Sequence, residues 1–311
     1  MKIITLTLSP AFDTHCHADS LRLQHENLIH MDLCQAGGKG VNISRALAHN
    51  GIDNLALAIL GEENADSFIR GLVADGVTYD AITVPGRIRE NLTIHVADGT
   101  ETRLSFPGFP VTEDLLGRVE EKLMALADSD TVITMTGRVP EGMAVEDVMA
   151  VLDKAAAKGA RIVIDSRSFT LEHLKTMKPW LIKPNQEEIS AYLGREVNTL
   201  EETLREAQAL HADGIENVMI SMGGDGALLV CSEGTFIAQP PKVEVLSTIG
   251  AGDSSIAGFI SATQPDPLQR LIRAVAFGTA ACMTEGTLPP TPADVADILT
   301  KIQCKALNAE C

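Results

Sequence analysis

The chain has 311 residues, of which 45% are hydrophobic and 22% are charged, and 25 basic against 42 acidic residues give it a formal net charge of −17. This length suits one large α/β domain, and the composition excludes an intrinsically disordered chain. Because the negative surface repels nucleic acid and anionic membranes, we expect neither as a partner. An anionic ligand would need a local cluster of Lys and Arg side chains.

The cysteines and the first residues bear on the location of the protein. Six cysteines are scattered without a Cys-x-x-Cys pair, which in a chain of this length is typical of reduced thiols. The opening segment "MKIITLTLSP" has too short an apolar run for a signal peptide, and no stretch has the apolar length of a membrane span. We therefore expect a cytoplasmic protein.

Strands and helices alternate along most of the chain. In chain order, hydrophobic patterning predicts a strand at 2–8, a helix at 39–51, a strand at 55–60, helices at 65–76 and 113–127, a strand at 131–135, a helix at 144–158, strands at 161–165 and 180–184, helices at 186–193 and 200–213, and strands at 217–222 and 226–231. The tail after Thr291 is predicted to form a last helix and a frayed end. This order is typical of an α/β fold with a doubly wound, mainly parallel sheet, on which ligands bind at the carboxyl ends of the strands.

Two segments interrupt the alternation. Residues 91–106 contain two alternating runs around Asp98-Gly99, which is a strong β-hairpin signal, and residues 12–35 also look extended. We expect these segments, at about 12–35 and 87–107, to form a small β-sheet lid inserted into a single domain of residues 1–311. The exposed edges of such a lid are compatible with a homodimer that pairs through it.

The segment "AGGKGVN" at 36–42 is the first candidate for a ligand-binding turn. Adjacent glycines before a helix let backbone N–H groups approach a ligand, and Lys39 and Asn42 add polar side chains. A tight strand-to-helix turn with a solvated lysine explains the same residues. The segment alone does not decide between the two interpretations.

The segment "KPNQEE" at 183–188 has a strong structural explanation. Asn185 and Glu188 have the spacing of a helix capping box. An amide and a carboxylate also suit a Mg²⁺ ion that is bound to phosphate, often through water. In isolation the capping interpretation is favoured.

Two further glycine-containing segments follow predicted strands. "SMGGDGALLV" at 221–230 is explained by a hairpin turn, although its glycines could also flank a nucleotide. "TGRVPEG" at 136–142 places Arg138 after the carboxyl end of a strand, where a doubly wound sheet binds its ligand. An exposed loop charge is the alternative for this arginine.

The strongest motif is "STIGAGDSSIAG" at 247–258. Gly250, Ala251 and Gly252 can present successive N–H groups at the start of a helix, where the helix dipole also favours an anion. Asp253 is then either the N-cap of that helix or a general base beside the anion hole.

Taken together, these motifs resemble the ribokinase-like carbohydrate kinases, also called the PfkB family, over essentially the whole chain. "GGKGVN" is similar to the family's first signature, "STIGAGDSSIAG" to its second, and "KPNQEE" contains its Asn-x-x-Glu. The flanking residues look closest to the branch that phosphorylates sugar phosphates, which includes 1-phosphofructokinase, tagatose-6-phosphate kinase and the minor 6-phosphofructokinase. The resemblance implies ATP and Mg²⁺ as cofactors and leaves open whether K⁺ binds beside the anion hole.

The resemblance also implies a role for each matching residue. Asp253 would accept the proton of the attacking hydroxyl, with the anion hole formed at Gly250, Ala251 and Gly252. The implied substrate-binding residues are Asp13, Gly38, Lys39, Asn42, Arg89 and Arg138. The implied ATP-binding residues are Lys183, Asn185, Ser221, Gly223, Gly226, Thr248, Gly252 and Cys282. The implied metal-site residues are Asn185, Glu188 and Asp165.

Two departures from the family pattern add positive charge. The family often has Ser-Gly-Ser-Leu-Pro where this chain has "TGRVP", and Asp-Ser-Ser where it has "DSRS". Arg138 and Arg167 therefore stand at positions that are usually small, which favours a phosphorylated substrate.

The expected function is ATP-dependent phosphorylation of a ketohexose phosphate. Fructose 1-phosphate, phosphorylated at O6, is the leading substrate on resemblance alone, and tagatose 6-phosphate and fructose 6-phosphate are the alternatives. A non-catalytic sugar-phosphate sensor would not need Asp253 together with an intact Gly-Ala-Gly. A dehydrogenase would need Gly-x-Gly-x-x-Gly after the first strand, where this chain has "LSPAFD".

Overall fold

The computed structural model describes residues 1–263 and 266–307, and in these ranges a large sheet forms the centre of the molecule. Its ten strands lie in the order β14 (Gln303–Leu307), β13 (Gly234–Gln239), β12 (Ala227–Cys231), β11 (Asn217–Ser221), β10 (Leu181–Ile182), β9 (Arg161–Asp165), β8 (Thr131–Thr136), β1 (Lys2–Thr7), β4 (Leu55–Gly61) and β5 (Tyr79–Val84). The strands from β11 to β5 pair in parallel, and β12, β13 and β14 continue the sheet in antiparallel pairing. The predicted mainly parallel sheet is confirmed.

Helices cover both faces of this sheet. Within the described ranges they are α1 (Lys39–His49), α2 (Ala65–Ala74), α3 (Leu115–Leu126), α4 (Val145–Ala157), α5 (Leu171–Met177), α6 (Gln186–Leu193), α7 (Leu200–Ala212), α8 (Ala251–Ile260), α9 (Pro267–Cys282) and α10 (Pro292–Leu299). None of them combines the length and the apolar character that a membrane span needs.

The alternation of side chains along β1 explains how one strand serves two cores. Ile4 and Leu6 pack into a cluster with residues of α3 to α7, whereas Ile3 packs on the opposite face with residues of α1, α8, α9 and α10. Successive side chains of a strand point to opposite faces, so a central strand must be apolar on both. The β-branched sequence "KIITLT" meets this demand.

A second, smaller sheet lies apart from the main one. Its strands have the order β3 (His30–Gly37), β2 (Ala11–Ala18), β6 (Arg89–Val96) and β7 (Glu101–Ser105). β2 pairs in parallel with β6, and the two outer pairs are antiparallel. The predicted small sheet is thus present, and the hairpin joins β6 to β7 through Asp98 and Gly99.

The expectation of a frayed end is wrong for residues 303–307. They form β14, which pairs antiparallel with β13 from Thr235↔Leu307 to Gln239↔Gln303. Backbone hydrogen bonds hold this edge strand, and its side chains are almost all exposed, so the sequence has no hydrophobic alternation there. Residues 308–311, the rest of the predicted frayed end, lie outside the described ranges.

Candidate active site

The segments singled out in the sequence meet at one edge of the main sheet. Asp165 is the last residue of β9, Lys183 follows β10, Ser221 is the last residue of β11, and Arg138 follows β8. Because these strands are parallel, their carboxyl ends lie along the same edge. The fold therefore explains why residues far apart in the sequence come together.

The anion hole predicted at 250–252 is the amino-terminal end of α8. Gly250 is the N-cap and has φ = +80°, a left-handed conformation that glycine adopts without steric cost. The first N–H groups of a helix have no intrahelical acceptor, so those of Gly252 and Asp253 can bind an anion, and that of Ala251 has only a long 3.4 Å bond to the carbonyl oxygen of Thr248. A Cβ on Gly252 would lie 3.0 Å from Lys183 Nζ, and the absence of a side chain brings that amine against the anion hole.

Asp253 lies in the first turn of α8 and is buried. The N-cap alternative for this residue is wrong, because Gly250 holds that position and has no side chain to cap the helix. Asn42 Nδ2 donates a 2.9 Å hydrogen bond to Asp253 Oδ2. Burial raises the pKa of Asp253 to about 6, although Lys39 and the hydrogen bond from Asn42 both favour the charged form. A carboxylate in this state can accept a proton near neutral pH.

Two lysines lie close to the same carboxylate oxygen of Asp165. Lys39 Nζ is 3.0 Å and Lys183 Nζ is 3.9 Å from Asp165 Oδ2. Burial alone would raise the pKa of Asp165, but the two lysines outweigh it and hold this pKa below its usual range. Burial would likewise lower the pKa of Lys39, yet Asp165 and Asp253 raise it. These pKa shifts favour the charged forms of Asp165 and Lys39, and the two amines lie next to the α8 anion hole.

Gly38 and Gly40 bring the Lys39 segment close to the sheet. Gly38 has φ = +109° and is the N-cap of α1. A Cβ on Gly40 would lie 2.3 Å from Thr7 Oγ1 and 3.1 Å from the carbonyl oxygen of Leu6, both at the carboxyl end of β1. Small residues are thus required for α1 to begin where it does.

The capping box at Asn185 is confirmed. The backbone N–H of Glu188 donates to Asn185 Oδ1 at 2.7 Å, and the backbone N–H of Asn185 donates to Glu188 Oε2 at 3.1 Å. The other carboxylate oxygen, Glu188 Oε1, accepts a 3.2 Å hydrogen bond from Arg167 Nε. The capping role and the predicted metal role do not exclude each other, since an amide or carboxylate oxygen that accepts one hydrogen bond has a second lone pair.

The donor set suits Mg²⁺ that arrives with a nucleotide. In residues 1–263 and 266–307 no three His, Cys, Asp or Glu side chains form a metal-binding cluster. Mg²⁺ is commonly held by one or two carboxylates together with substrate phosphates and water. Glu188 and Asp165 line the same small cavity, so their carboxylates lie in one region of the site. That Asp165 is a metal ligand stays a prediction, since its carboxylate is paired with lysines.

The lid carries a second polar cluster. Asn91 links its members, because Asn91 Nδ2 donates to Asp13 Oδ1 at 2.8 Å and Asn91 Oδ1 accepts from an Arg89 terminal nitrogen at 2.9 Å. Arg89 Nε is buried without a protein partner. Burial lowers the pKa of Arg89 and nearby Arg138 lowers it further, while Asp13 opposes them. The two guanidinium groups thus lie near each other, which favours an anion between them.

Asn91 is not among the site residues predicted from the sequence. The alternation of side chains along a strand could have indicated it, because Asn91 follows Arg89 by two residues and must lie on the same face of β6. The pairing of β2 with β6, which aligns Asp13 with Asn91, could not be found in the sequence.

The remaining predicted ATP-binding residues lie in two places. Ser221 forms a bridge with Asn185, and the β11–β12 hairpin follows it, with Gly223 and Gly226 both at positive φ. On the other side, the carbonyl oxygen of Cys282 accepts from the N–H groups of Leu246 and Ser247, at 2.8 and 3.3 Å, just before Thr248. The hairpin alternative is thus confirmed for 223–226, and nucleotide contact by these residues stays a prediction.

The sequence profile of the "pfkB family carbohydrate kinase" matches residues 18–294, which is most of the chain. The chain belongs to the pfkB family of carbohydrate kinases.

Relatives within the family can be compared in sequence and in structure. The chain is 34% identical to the 1-phosphofructokinase of Escherichia coli (strain K12) over 260 residues, covering 83% of each chain. It is 30% identical to the ATP-dependent 6-phosphofructokinase isozyme 2 of the same organism over 292 residues, covering 92% of this chain and 94% of the relative. The crystal structure of phosphofructokinase-2 from Escherichia coli in complex with substrates and products superimposes with a TM-score of 0.87 at 27% identity, covering 97% of this chain and 99% of the other.

Proposed function

We propose that the protein phosphorylates a fructose phosphate with ATP and that its preferred substrate is fructose 1-phosphate, which becomes fructose 1,6-bisphosphate. The observation that carries this proposal is the buried Asp253 carboxylate at the amino-terminal end of α8, next to the Lys39 and Lys183 amines. A base, an anion hole and two cations are what phosphoryl transfer to an alcohol requires.

In this proposal the sugar hydroxyl lies against Asp253, which accepts its proton as the oxygen attacks the γ-phosphate of ATP. The bond from the γ-phosphorus to the β,γ-bridging oxygen breaks, and ADP leaves. The N–H groups of Ala251 and Gly252 and the two lysine amines balance the charge on the transferring group. Asn185 and Glu188 hold the nucleotide side, where Mg²⁺ enters together with ATP as substrate. Because positioning supplies most of the rate, a rigid frame of buried pairs suits the reaction.

The phosphate of the sugar is proposed to bind between Arg89 and Arg138. Arg89 is partly buried, is held by Asn91, and has a buried Nε without a protein partner. Arg138 is exposed, and its charge lowers the pKa of Arg89. A phosphate dianion would relieve this repulsion and would bind both groups with charge-assisted hydrogen bonds.

The preference for the 1-phosphate rests on the relatives. Six of the curated relatives matched at 32–34% identity carry the name 1-phosphofructokinase, while a 30% identical relative is a 6-phosphofructokinase. Tagatose 6-phosphate remains the alternative from the sequence. A catalytically inactive sensor is disfavoured, because it would have no use for a buried base beside an anion hole.

The experiment is an ATP turnover assay against fructose 1-phosphate, fructose 6-phosphate, tagatose 6-phosphate, fructose and ribose. We expect the highest kcat/KM with fructose 1-phosphate. Saturable activity restricted to the two unphosphorylated sugars would contradict the proposal. Parallel assays with KCl and with NaCl test whether K⁺ takes part.

Arg138 provides a sharper test of the phosphate site. We expect Arg138→Ser to raise KM for the sugar phosphate by roughly tenfold or more, since a charge-assisted hydrogen bond contributes about 1.5–3 kcal/mol. The KM for ATP should stay unchanged. Arg103→Ser, which removes an exposed lid arginine on β7, is the matched control. Equal effects of the two substitutions would remove Arg138 from the site.

We further propose a homodimer that pairs through the outer face of the lid. Leu92 and Leu104 form a cross-strand pair there, and Leu104, Phe106 and Met31 are 46%, 53% and 68% exposed. Beside them lies a groove of about 390 Å³ lined partly by Phe12 and Leu92. Exposed apolar patches of this kind mark interaction sites, and a second copy offers the same patch in a symmetric pair.

We also propose that the protein is cytoplasmic. The five cysteines of the described ranges are all free thiols, as is typical of a reducing compartment.

A further inference from the structure

Arg167 has no role in the proposed phosphoryl transfer as described above. It follows the carboxyl end of β9, two residues after Asp165, where relatives of the family often have a small residue. Its charge reaches the site, since it helps to lower the pKa of Asp165, after the larger effects of burial and the two lysines. Arg167 therefore lies close enough to Asp165, Lys39 and Lys183 to act on the same part of the site.

The partner of Arg167 is the proposed metal-site carboxylate. Arg167 Nε lies 3.2 Å from Glu188 Oε1, and the backbone N–H of Asn185 occupies Glu188 Oε2. Both oxygens of Glu188 are thus engaged. Glu188 Oε1 can bind the water shell of Mg²⁺ by exchanging its hydrogen bond with Arg167 for one with a metal-bound water.

The ion pair between Arg167 and Glu188 is weak enough to be exchanged for other contacts. The Arg167 side chain is 75% exposed, and that of Glu188 is 15% exposed. An ion pair with one highly exposed partner contributes little to stability, so breaking it costs little free energy. The bond uses only Nε, and within the described ranges the two terminal nitrogens of Arg167 have no protein partner. Those nitrogens form the planar fork that suits phosphate oxygens.

We propose that Arg167 binds the phosphates of Mg·ATP. Until the metal nucleotide binds, the ion pair with Glu188 keeps the Arg167 guanidinium away from this role. Glu188 then exchanges the guanidinium for metal-bound water, and the released guanidinium contacts the phosphates of the nucleotide. Without metal the guanidinium stays on Glu188, where the carboxylate neutralises its charge. This proposal rests on the proposed function, because it requires Mg·ATP at this edge of the sheet.

The test measures binding of the non-hydrolysable ATP analogue AMP-PNP by calorimetry, with and without Mg²⁺, in the absence of sugar. Because one charge-assisted contact is lost, Arg167→Ser should weaken binding of Mg·AMP-PNP by about tenfold. Binding of metal-free AMP-PNP should change less than about twofold, since the pair with Glu188 then keeps the guanidinium in its present position and neutralises its charge. Arg167→Lys keeps the charge and should recover part of the loss.

The matched control is Arg205→Ser. Arg205 is also exposed and pairs through Nε with a glutamate, Glu206, but it lies on α7. It should change neither affinity. Equal losses with and without Mg²⁺ in Arg167→Ser would overturn the exchange, and so would unchanged binding of Mg·AMP-PNP. Failure of the unmodified protein to bind Mg·AMP-PNP would instead overturn the proposed function.

Discussion

Asn42 donates the hydrogen bond that favours the charged form of Asp253, and its removal has a defined effect on pH dependence. In Asn42→Ala we expect the pKa of Asp253 to rise above its value of about 6. A base must be deprotonated, so the acid limb of the kcat/KM profile should move upward by roughly one pH unit, because one unit corresponds to about 1.4 kcal/mol. The measurement is kcat/KM for the sugar phosphate between pH 5 and pH 9.

The control for this substitution is Asn50→Ala. Asn50 is the C-cap of α1, the helix that contains Asn42, and its side-chain amide donates to the carbonyl oxygens of Ala46 and Pro290. Its loss should leave the acid limb in place. An acid limb that does not move in Asn42→Ala would show that this hydrogen bond does not tune the base.

Asp253 also links function to stability. Because burial raises its pKa from 3.8 to about 6, the folded state binds a proton more tightly than the unfolded state, and ionisation of Asp253 lowers stability progressively above the ordinary carboxyl pKa, with the full loss reached above about pH 6. Asp253→Asn should therefore raise the free energy of unfolding at pH 8 by about 2–3 kcal/mol. The gain should shrink as the pH falls through 6 and vanish below the ordinary carboxyl pKa.

Urea unfolding at pH 8 and at pH 4 checks this expectation, with turnover measured beside it. The same substitution should lower kcat by roughly 10²–10⁴-fold, the usual contribution of a positioned base. Asp19→Asn, at an exposed lid position, should alter neither quantity. A less stable Asp253→Asn protein would mean that the charged carboxylate supports the fold.

At the level of elements, the packing of α8 against α9 holds the anion hole in place. A Cβ on Gly258 would lie 2.4 Å from the carbonyl oxygen of Arg273 and 2.9 Å from the Cα of Ala274, and both atoms belong to the backbone of α9. We expect Gly258→Ala to lower the free energy of unfolding by about 1–3 kcal/mol, because the helices must move apart.

Gly117→Ala is the matched control for that helix pair. Gly117 lies in α3, and a Cβ there would meet nothing within 4 Å. Since alanine favours a helix over glycine, this substitution should raise stability by up to about 1 kcal/mol. Opposite signs in thermal or urea unfolding would support close packing of α8 on α9, and equal effects would contradict it.

The sequence predicted the buried elements well and the exposed ones poorly. Central strands such as β1 and β8 are apolar on both faces, which makes them visible as hydrophobic runs. β14 has exposed side chains and depends on backbone pairing with β13, and β5 is only partly buried, so neither has a strong pattern. Strand order likewise follows from long-range packing, which a hydrophobic pattern does not contain.

In the candidate site, likewise, the sequence predicted some features and not others. The motifs placed Asp253, Asn42 and Glu188 at the edge of the sheet, because small residues before a helix leave a visible signal. The hydrogen bond between Asn42 and Asp253 spans 211 positions, and the pair of Arg167 with Glu188 joins the loop after β9 to the first turn of α6. Contacts of this kind depend on the fold rather than on spacing, so the structure was needed to find them.

At the scale of the whole molecule, the charge distribution is uneven. The chain has a net charge of −17, yet the edge of the sheet and the adjoining lid gather the cations Lys39, Lys183, Arg89, Arg138 and Arg167. A substrate phosphate therefore binds against the field of the protein and relies on a few close contacts. This arrangement makes each of these cations more important than it would be on a basic protein.

Assembly is the last property that belongs to the whole molecule. If two lids pair through their outer faces, Phe106→Glu places two like charges in the apolar contact and should give a monomer. Sedimentation velocity over a range of protein concentrations measures this change. Leu200→Glu, which alters an exposed leucine on α7, should leave the mass unchanged. Because Asp13 and Arg89 lie on strands of the same lid sheet, the monomeric variant should also have a higher KM for the sugar phosphate and an unchanged KM for ATP. A monomeric unmodified protein, or a Phe106→Glu variant of unchanged mass, would contradict pairing through the lid.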